Sequence, residues 1–243
     1  MKYINTIIIL YSFFFSGEMN AQQTDLDKAK VIIEKVKNFY DNQSKYQVNV
    51  NYTLFDGLES TSILESYEGV IVKNDQNFYS KIHNTESLQI SENYVKVNHD
   101  EKAVMYGKAD EKNKPTTALN LELLFRNFNK AIIKEKEALY IIEMMAPSIS
   151  QSPYRKVVLK ITKNDFRLEK QILFFSSTIP VKTQNGNEKL TNPRLEVVFT
   201  NFSQNDTEYQ GKFNFSSFVL LSKTGNRISP NLKHYQFIDT TRQ

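Results

Sequence analysis

Gln47-Val48-Asn49-Val50-Asn51-Tyr52-Thr53-Leu54 decides the fold class. Apolar side chains stand at every second position with polar ones between, the period of a strand that buries one face and wets the other. The preceding segment has a different period. From Asp25 to Tyr40, Leu26, Ala29, Ile32, Ile33, Val36, Phe39 and Tyr40 recur at steps of three and four, while Lys28, Lys30, Glu34, Lys35 and Lys37 take the other side. Thr24 or Asp25 can cap the start, so the spacing predicts an amphipathic helix. Such a helix packs on a core or lies on a membrane; Asp25, Asp27 and Glu34 dilute its basic face and favour packing.

After Leu54 the two-residue period persists. Asp56-Gly57 marks a turn, Ile63–Lys73 a strand, and Asn74-Asp75-Gln76-Asn77 its turn. Phe78–His83, Ser87–Ile90, Tyr94–Asn98 and Ala103–Tyr106 follow as short strands separated by the polar turns 84–86, 91–93 and 100–102, the signature of an antiparallel meander. Pro115 with Thr116 or Thr117 opens a second helix, whose stripe is Leu121, Leu124, Phe125, Phe128 and Ile132. Strands are predicted again at Ala138–Met145, Lys156–Thr162, Leu168–Ser176, Leu195–Phe202, Phe213–Leu221 and near His234–Ile238, with a hairpin turn at Asn164-Asp165 and a mobile loop or long hairpin tip over Thr183–Pro193. About ten antiparallel strands must curl or split, since flat open sheets of that width are unusual.

The first residues read as an address. Lys2, the apolar run Ile4–Phe15 and the small residue Ala21 follow the three-part secretory layout, which predicts a signal peptide over 1–21 and one domain over 22–243, periplasmic or secreted. The apolar run is too short for a spanning helix, which needs about 20 residues. The chain has 243 residues and no cysteine, which excludes disulfides, thiolate metal sites, a cysteine nucleophile and a lipidated cysteine. The formal net charge is +4, without a basic block, so nucleic-acid binding has no support.

This order of elements resembles the LolA/LolB-type lipoprotein localisation family. Tyr67-Glu68-Gly69-Val70-Ile71-Val72 followed by Asn77-Phe78-Tyr79 is similar to an early motif of that family. Tyr94–Asn98 with Ala103–Tyr106 resembles the strand pair after it, and Val198-Phe199-Thr200-Asn201-Phe202 a late strand. The resemblance implies a strongly curved antiparallel sheet, a half-barrel, with the N-terminal and mid-chain helices on its concave face. It also implies an apolar or amphipathic ligand: a lipid, or the acyl chains of a lipoprotein. The family's tryptophans are absent here and its lid-holding arginine has no counterpart, so no functional residue transfers.

Read from the residues, the candidate site is aromatic. Tyr52, Leu54, Tyr67, Phe78, Tyr94 and Tyr106 fall on successive strands; several on one face would give apolar walls with polar tips, and Leu121, Leu124, Phe125 and Phe128 would cover them. A filled core is the alternative. His83 and His99 with Asp100 or Glu101 make a two-histidine, one-carboxylate metal site conceivable, against two ordinary turn histidines. No nucleophile signature, phosphate loop or cofactor motif is present, so the expectation is a binder without cofactor rather than an enzyme; a hydrolase would need His83, His99 and acids in one cleft. Lys108, Lys112, Lys114, Lys130, Lys134 and Lys136 flank the second helix and either touch anionic headgroups or form a solvated face. The partner is then a lipid, a lipoprotein acyl chain or an envelope protein, met by a monomer with transient membrane contact. The competing function is a structural or interaction protein of the envelope.

Overall fold

A computed structural model describes residues 25–109, 121, 127–182, 188–204, 207–222 and 224–242. Helix α1 spans 25–42. The strands are β1 (Lys45–Phe55), β2 (Ile63–Asn74), β3 (Asn77–Ile82), β4 (Thr85–Ile90), β5 (Asn93–Asn98), β6 (Ala103–Lys108), β7 (Lys130–Lys136), β8 (Leu139–Met145), β9 (Tyr154–Thr162), β10 (Leu168–Phe175), β11 (Ile179–Lys182), β12 (Glu188–Thr191), β13 (Arg194–Ser203), β14 (Val219–Leu220), β15 (Arg227–Ile228) and β16 (Gln236–Asp239). The chain is mostly β and mostly antiparallel, as the alternation predicts. The signal segment 1–21 and the greater part of the second helix, Leu124 and Phe125 included, lie outside the described residues. No helix among the described residues is long and apolar enough to cross a membrane.

The described residues form two compact units, each drawn from separated segments. Within the described residues the first takes 25–39, 55–62 and those between 121 and 196, the second 40–54, 63–109 and those between 197 and 242. In the first, strands run β10-β9-β8-β7. Ile142, Met144, Val157, Leu159 and Ile161 are fully buried there, as are Ala29 and Val36 on the apolar stripe of α1. Asp25 accepts a hydrogen bond from the Ile133 N–H at 3.4 Å, and the Lys35 ammonium sits 4.8 Å from the centre of the Phe166 ring. Arg194 pins the 55–62 segment: it donates to the Leu58 and Ser60 carbonyls at 2.8 and 3.2 Å and stacks 4.2 Å from the Phe55 ring centre.

Strand β7 corrects the sequence reading. Ile132, assigned above to the helical stripe, lies in β7, which pairs antiparallel with β8. Lys130, Lys134 and Lys136 belong to the same strand, which ends the strand order, and charged side chains there discourage pairing with another chain. Of the polar 183–193 segment, Glu188–Thr191 forms β12 and pairs antiparallel with β11; residues 183–187 lie outside the described residues.

In the second unit the strand order is β16-β6-β5-β4-β3-β2-β1-β13. The four hairpins from β2 to β6 turn through left-handed residues without glycine: Asp75, His83, Ser91 and Lys102 have φ of 54, 51, 53 and 49°. This explains how a chain with only seven glycines makes so many tight turns, and it gives His83 a backbone role. Gly69 is the exception that needs its missing side chain. A Cβ there would stand 2.5 Å from the Lys81 carbonyl oxygen and 3.0 Å from the Ile82 Cα on the paired strand. Gly69→Ala is expected to cost about 2 kcal/mol in urea unfolding, because backbone rather than a flexible side chain must move. A loss under 0.5 kcal/mol, on the scale of an ordinary surface change, would show that the pairing relaxes freely.

The C-terminal segment departs most from expectation. Phe213–Leu221 is not a strand: Asn214 accepts from the Ser216 N–H at 3.2 Å and opens a single 3₁₀ turn, Phe215–Ser217, leaving only Val219–Leu220 as β14. Asparagine competes here for backbone donors that a strand would use. The final strand, β16, runs parallel to β6. Together these residues roof one face of the sheet: Phe218, Val219, Tyr209, Phe213, Phe215, Ile228, Leu232, Tyr235 and Phe237 pack on Val70, Val72, Tyr79, Leu88, Val95, Val97, Val104 and Tyr106.

Candidate functional site

Register sorts the aromatic set onto two faces. Val72, Tyr79, Leu88, Val95 and Tyr106 stand in one cross-strand row, which the C-terminal segment covers. The adjacent row, pointing the other way, is Lys73, Phe78, Gln89, Tyr94 and Gly107. Tyr67 shares the parity of Lys73 on β2. On β1, Thr53 and Asn51 bond Ser66 at 3.2 and 3.3 Å, which puts the odd β1 positions on the roofed face and Tyr52 and Leu54 on the face of Tyr67.

Five of the ten sequence candidates, Tyr52, Leu54, Tyr67, Phe78 and Tyr94, therefore share one face. Tyr106 does not: it lies on the roofed face, its ring edge-on to Phe215 at 5.9 Å and its hydroxyl donating to Asn93 at 2.9 Å. Leu121 and Phe128 are buried residues of the other compact unit. Leu124 and Phe125 lie outside the described residues.

The shared face is mixed rather than greasy throughout. Tyr52, Leu54, Tyr67 and Phe78 are half-buried, and burial pushes the Tyr52 hydroxyl up to about 12. Lys73, Ser80, Ser87 and Gln89 are buried among them. Lys73 reaches the end of α1, donating to the Tyr40 and Asp41 carbonyls at 3.1 and 2.9 Å, and burial lowers its pKa. Those carbonyls are the acceptors a helix leaves unsatisfied at its C-terminus. The Gln89 amide nitrogen donates to the Ser91 carbonyl at 3.3 Å, whereas its side-chain oxygen is buried with no hydrogen-bond partner among the described residues. Alternation over Thr85–Ile90 could have placed Gln89 beside Phe78; nothing in the sequence marks its oxygen as unpaired.

His99 finds partners that sequence spacing did not suggest. Its Nε2 lies 3.1 Å from Glu86 and its Nδ1 2.9 Å from the Tyr235 hydroxyl, 136 residues away. With Glu86 ionised, Nε2–H donates to it and Nδ1 accepts from Tyr235, so neither ring nitrogen is left for a substrate proton. Glu86 also accepts from Tyr79 at 2.8 Å and pairs with Lys212 at 3.9 Å. Burial pushes the Glu86 carboxyl up, but the Tyr79 and His99 hydrogen bonds and the Lys212 and His99 charges outweigh it and leave its pKa lowered. His83 does not join this group; it faces Asp100 at 3.9 Å, and its ring lies tilted at 42° to that of Tyr67 with centres 4.8 Å apart. Among the described residues no group of three or more histidine or acidic side chains is arranged to hold a metal ion.

A second lowered carboxyl, Glu196 in the first unit, opposes its own burial with hydrogen bonds from Lys170 and Arg194. Glu86 and Glu196 both have folded pKa values below their unfolded ones, so their stabilisation is full above about pH 4.5 and is lost as pH falls through the lowered folded values. Thermal unfolding from pH 6 to pH 3 should show Tm falling below about pH 4.5, less steeply in Glu196→Gln. A parallel fall in that variant would remove Glu196 from the explanation.

No protein-family model matches this sequence, and no curated protein matches it. Solved structures similar to it include an uncharacterised conserved protein from Thermus thermophilus, 10% identical over 87% of this chain and 99% of that one, with a TM-score of 0.45. Lipoprotein LppX from Mycobacterium tuberculosis is 8% identical over 72% and 94%, TM-score 0.40. A LolA superfamily protein from Nitrosomonas europaea is 13% identical over 73% and 94%, TM-score 0.34.

Proposed function

We propose that this chain is an exported, non-catalytic binder of an amphipathic lipid or lipoprotein acyl chain, held against the face that carries Tyr52, Leu54, Tyr67, Phe78 and Tyr94. The observation that carries this reading is the buried Gln89 oxygen, unpartnered among the described residues and set between Phe78 and Tyr94 in the register. Buried acceptors are nearly always paired, and leaving one open costs about 1–3 kcal/mol. A headgroup hydroxyl or amide would supply the donor. Apolar walls with a few placed polar groups suit such a ligand, and each methylene taken from water contributes about 0.8 kcal/mol. The resemblance of the strand motifs to the lipoprotein localisation family and the secretory layout of residues 1–21 support the same reading. Titration with cis-parinaric acid is expected to give saturable fluorescence enhancement. A linear, non-saturating response would contradict a site on this face.

A further inference from the structure

The roofed face carries a feature that the lipid reading does not use. Between β4 and the C-terminal segment lies a cleft of about 330 Å³ lined by Glu86, Glu208, Gly211, Lys212, Ser217 and Phe218. That is room for roughly ten water molecules at about 30 Å³ each. We propose that this cleft binds a small zwitterion, a molecule bearing a primary ammonium close to an anionic oxygen group.

Both signs of charge line the wall. The Glu86 carboxylate is fixed from behind by the Tyr79 hydroxyl at 2.8 Å and His99 Nε2 at 3.1 Å, which leaves acceptor positions toward the cleft. Glu208 adds a second carboxylate, which takes one hydrogen bond from the Tyr209 hydroxyl and keeps further acceptor positions. The Lys212 ammonium stands 3.9 Å from Glu86, too far for a direct hydrogen bond, and 5.9 Å from the centre of the Tyr79 ring. Its donors remain available, with the Ser217 hydroxyl, for an anion. A Cβ on Gly211 would meet nothing within 4 Å, so ligand can approach the backbone there. Phe218, 8% exposed, closes one wall with apolar surface. A lone cation entering this cleft meets Lys212 and a lone anion meets two carboxylates. Only a molecule carrying both charges pairs every group, and this opposition supplies the selectivity.

The chemistry occurs in a free molecule and in a lipid headgroup, and the two are separable. Calorimetric titration of the full-length protein with O-phosphoethanolamine is expected to saturate, with ethanolamine and inorganic phosphate each binding at least about tenfold more weakly. Glu208→Gln and Lys212→Gln are each expected to weaken O-phosphoethanolamine about tenfold with only a small change in Tm, since both side chains are exposed. Sedimentation with phosphatidylethanolamine but not phosphatidylcholine vesicles makes the headgroup the source; binding of the free compound alone makes it a soluble molecule. No saturable binding to either, or equal binding by the Glu208→Gln/Lys212→Gln double variant, overturns the proposal. The cleft lies on the opposite face from Phe78, so a failed parinaric acid titration leaves it standing.

Discussion

Glu86→Ala is expected to lower the unfolding free energy by about 3 kcal/mol, the largest effect of any single side chain in the second unit's polar network. The loss has several parts. The Tyr79 hydroxyl, on a fully buried residue, loses its acceptor at 2.8 Å. His99 loses one of its two anchors and is held only by Tyr235, whose bond ties the C-terminal segment to the end of β5. Lys212 keeps no counter-charge from β4. Removing one member of a buried polar group costs more than replacing the group as a whole. The Tyr79→Phe/Glu86→Leu double variant should therefore recover part of the loss, and the recovery measures the coupling directly. Urea unfolding followed by circular dichroism reads both. A loss below 1 kcal/mol for Glu86→Ala would mean that solvent already satisfies these groups.

The second large effect is functional. Phe78→Gln is expected to weaken cis-parinaric acid binding at least about tenfold, because it removes an aromatic wall facing the ligand and adds an amide that must be desolvated. Tyr106→Phe is the matched control. It removes a hydroxyl bonded to Asn93 on the roofed face, so it should cost about 1 kcal/mol of stability and leave the affinity unchanged. Equal weakening by both variants would place the ligand elsewhere.

The sequence carried the fold through its periods. The switch from helical spacing to alternation near residue 47 located α1 and β1, and the polar turns located β2 to β6 to within a few residues. Alternation also contains the face of each side chain, yet spacing along separate strands does not tell Tyr106 from Tyr94. Pairing residue by residue was needed to see that Tyr94 stands opposite Gly107 while Tyr106 stands opposite Val95. β7 is hidden in the sequence because Ile132 continues an i, i+4 step from Phe128, and a short apolar run does not distinguish helix from strand. The Phe213–Leu221 strand failed because Asn214 favours a local turn over a ladder. The Glu86–His99–Tyr235 link joins residues with no sequence relation, so only the tertiary fold brings it together.

Native mass spectrometry of the purified protein, with chloroform–methanol extraction of the same sample, tests the central claim most directly. The account predicts an added mass of lipid size, recovered in the extract and diminished in Phe78→Gln but not in Tyr106→Phe. A bare polypeptide mass and an empty extract, from protein that also fails to take up parinaric acid, would contradict it.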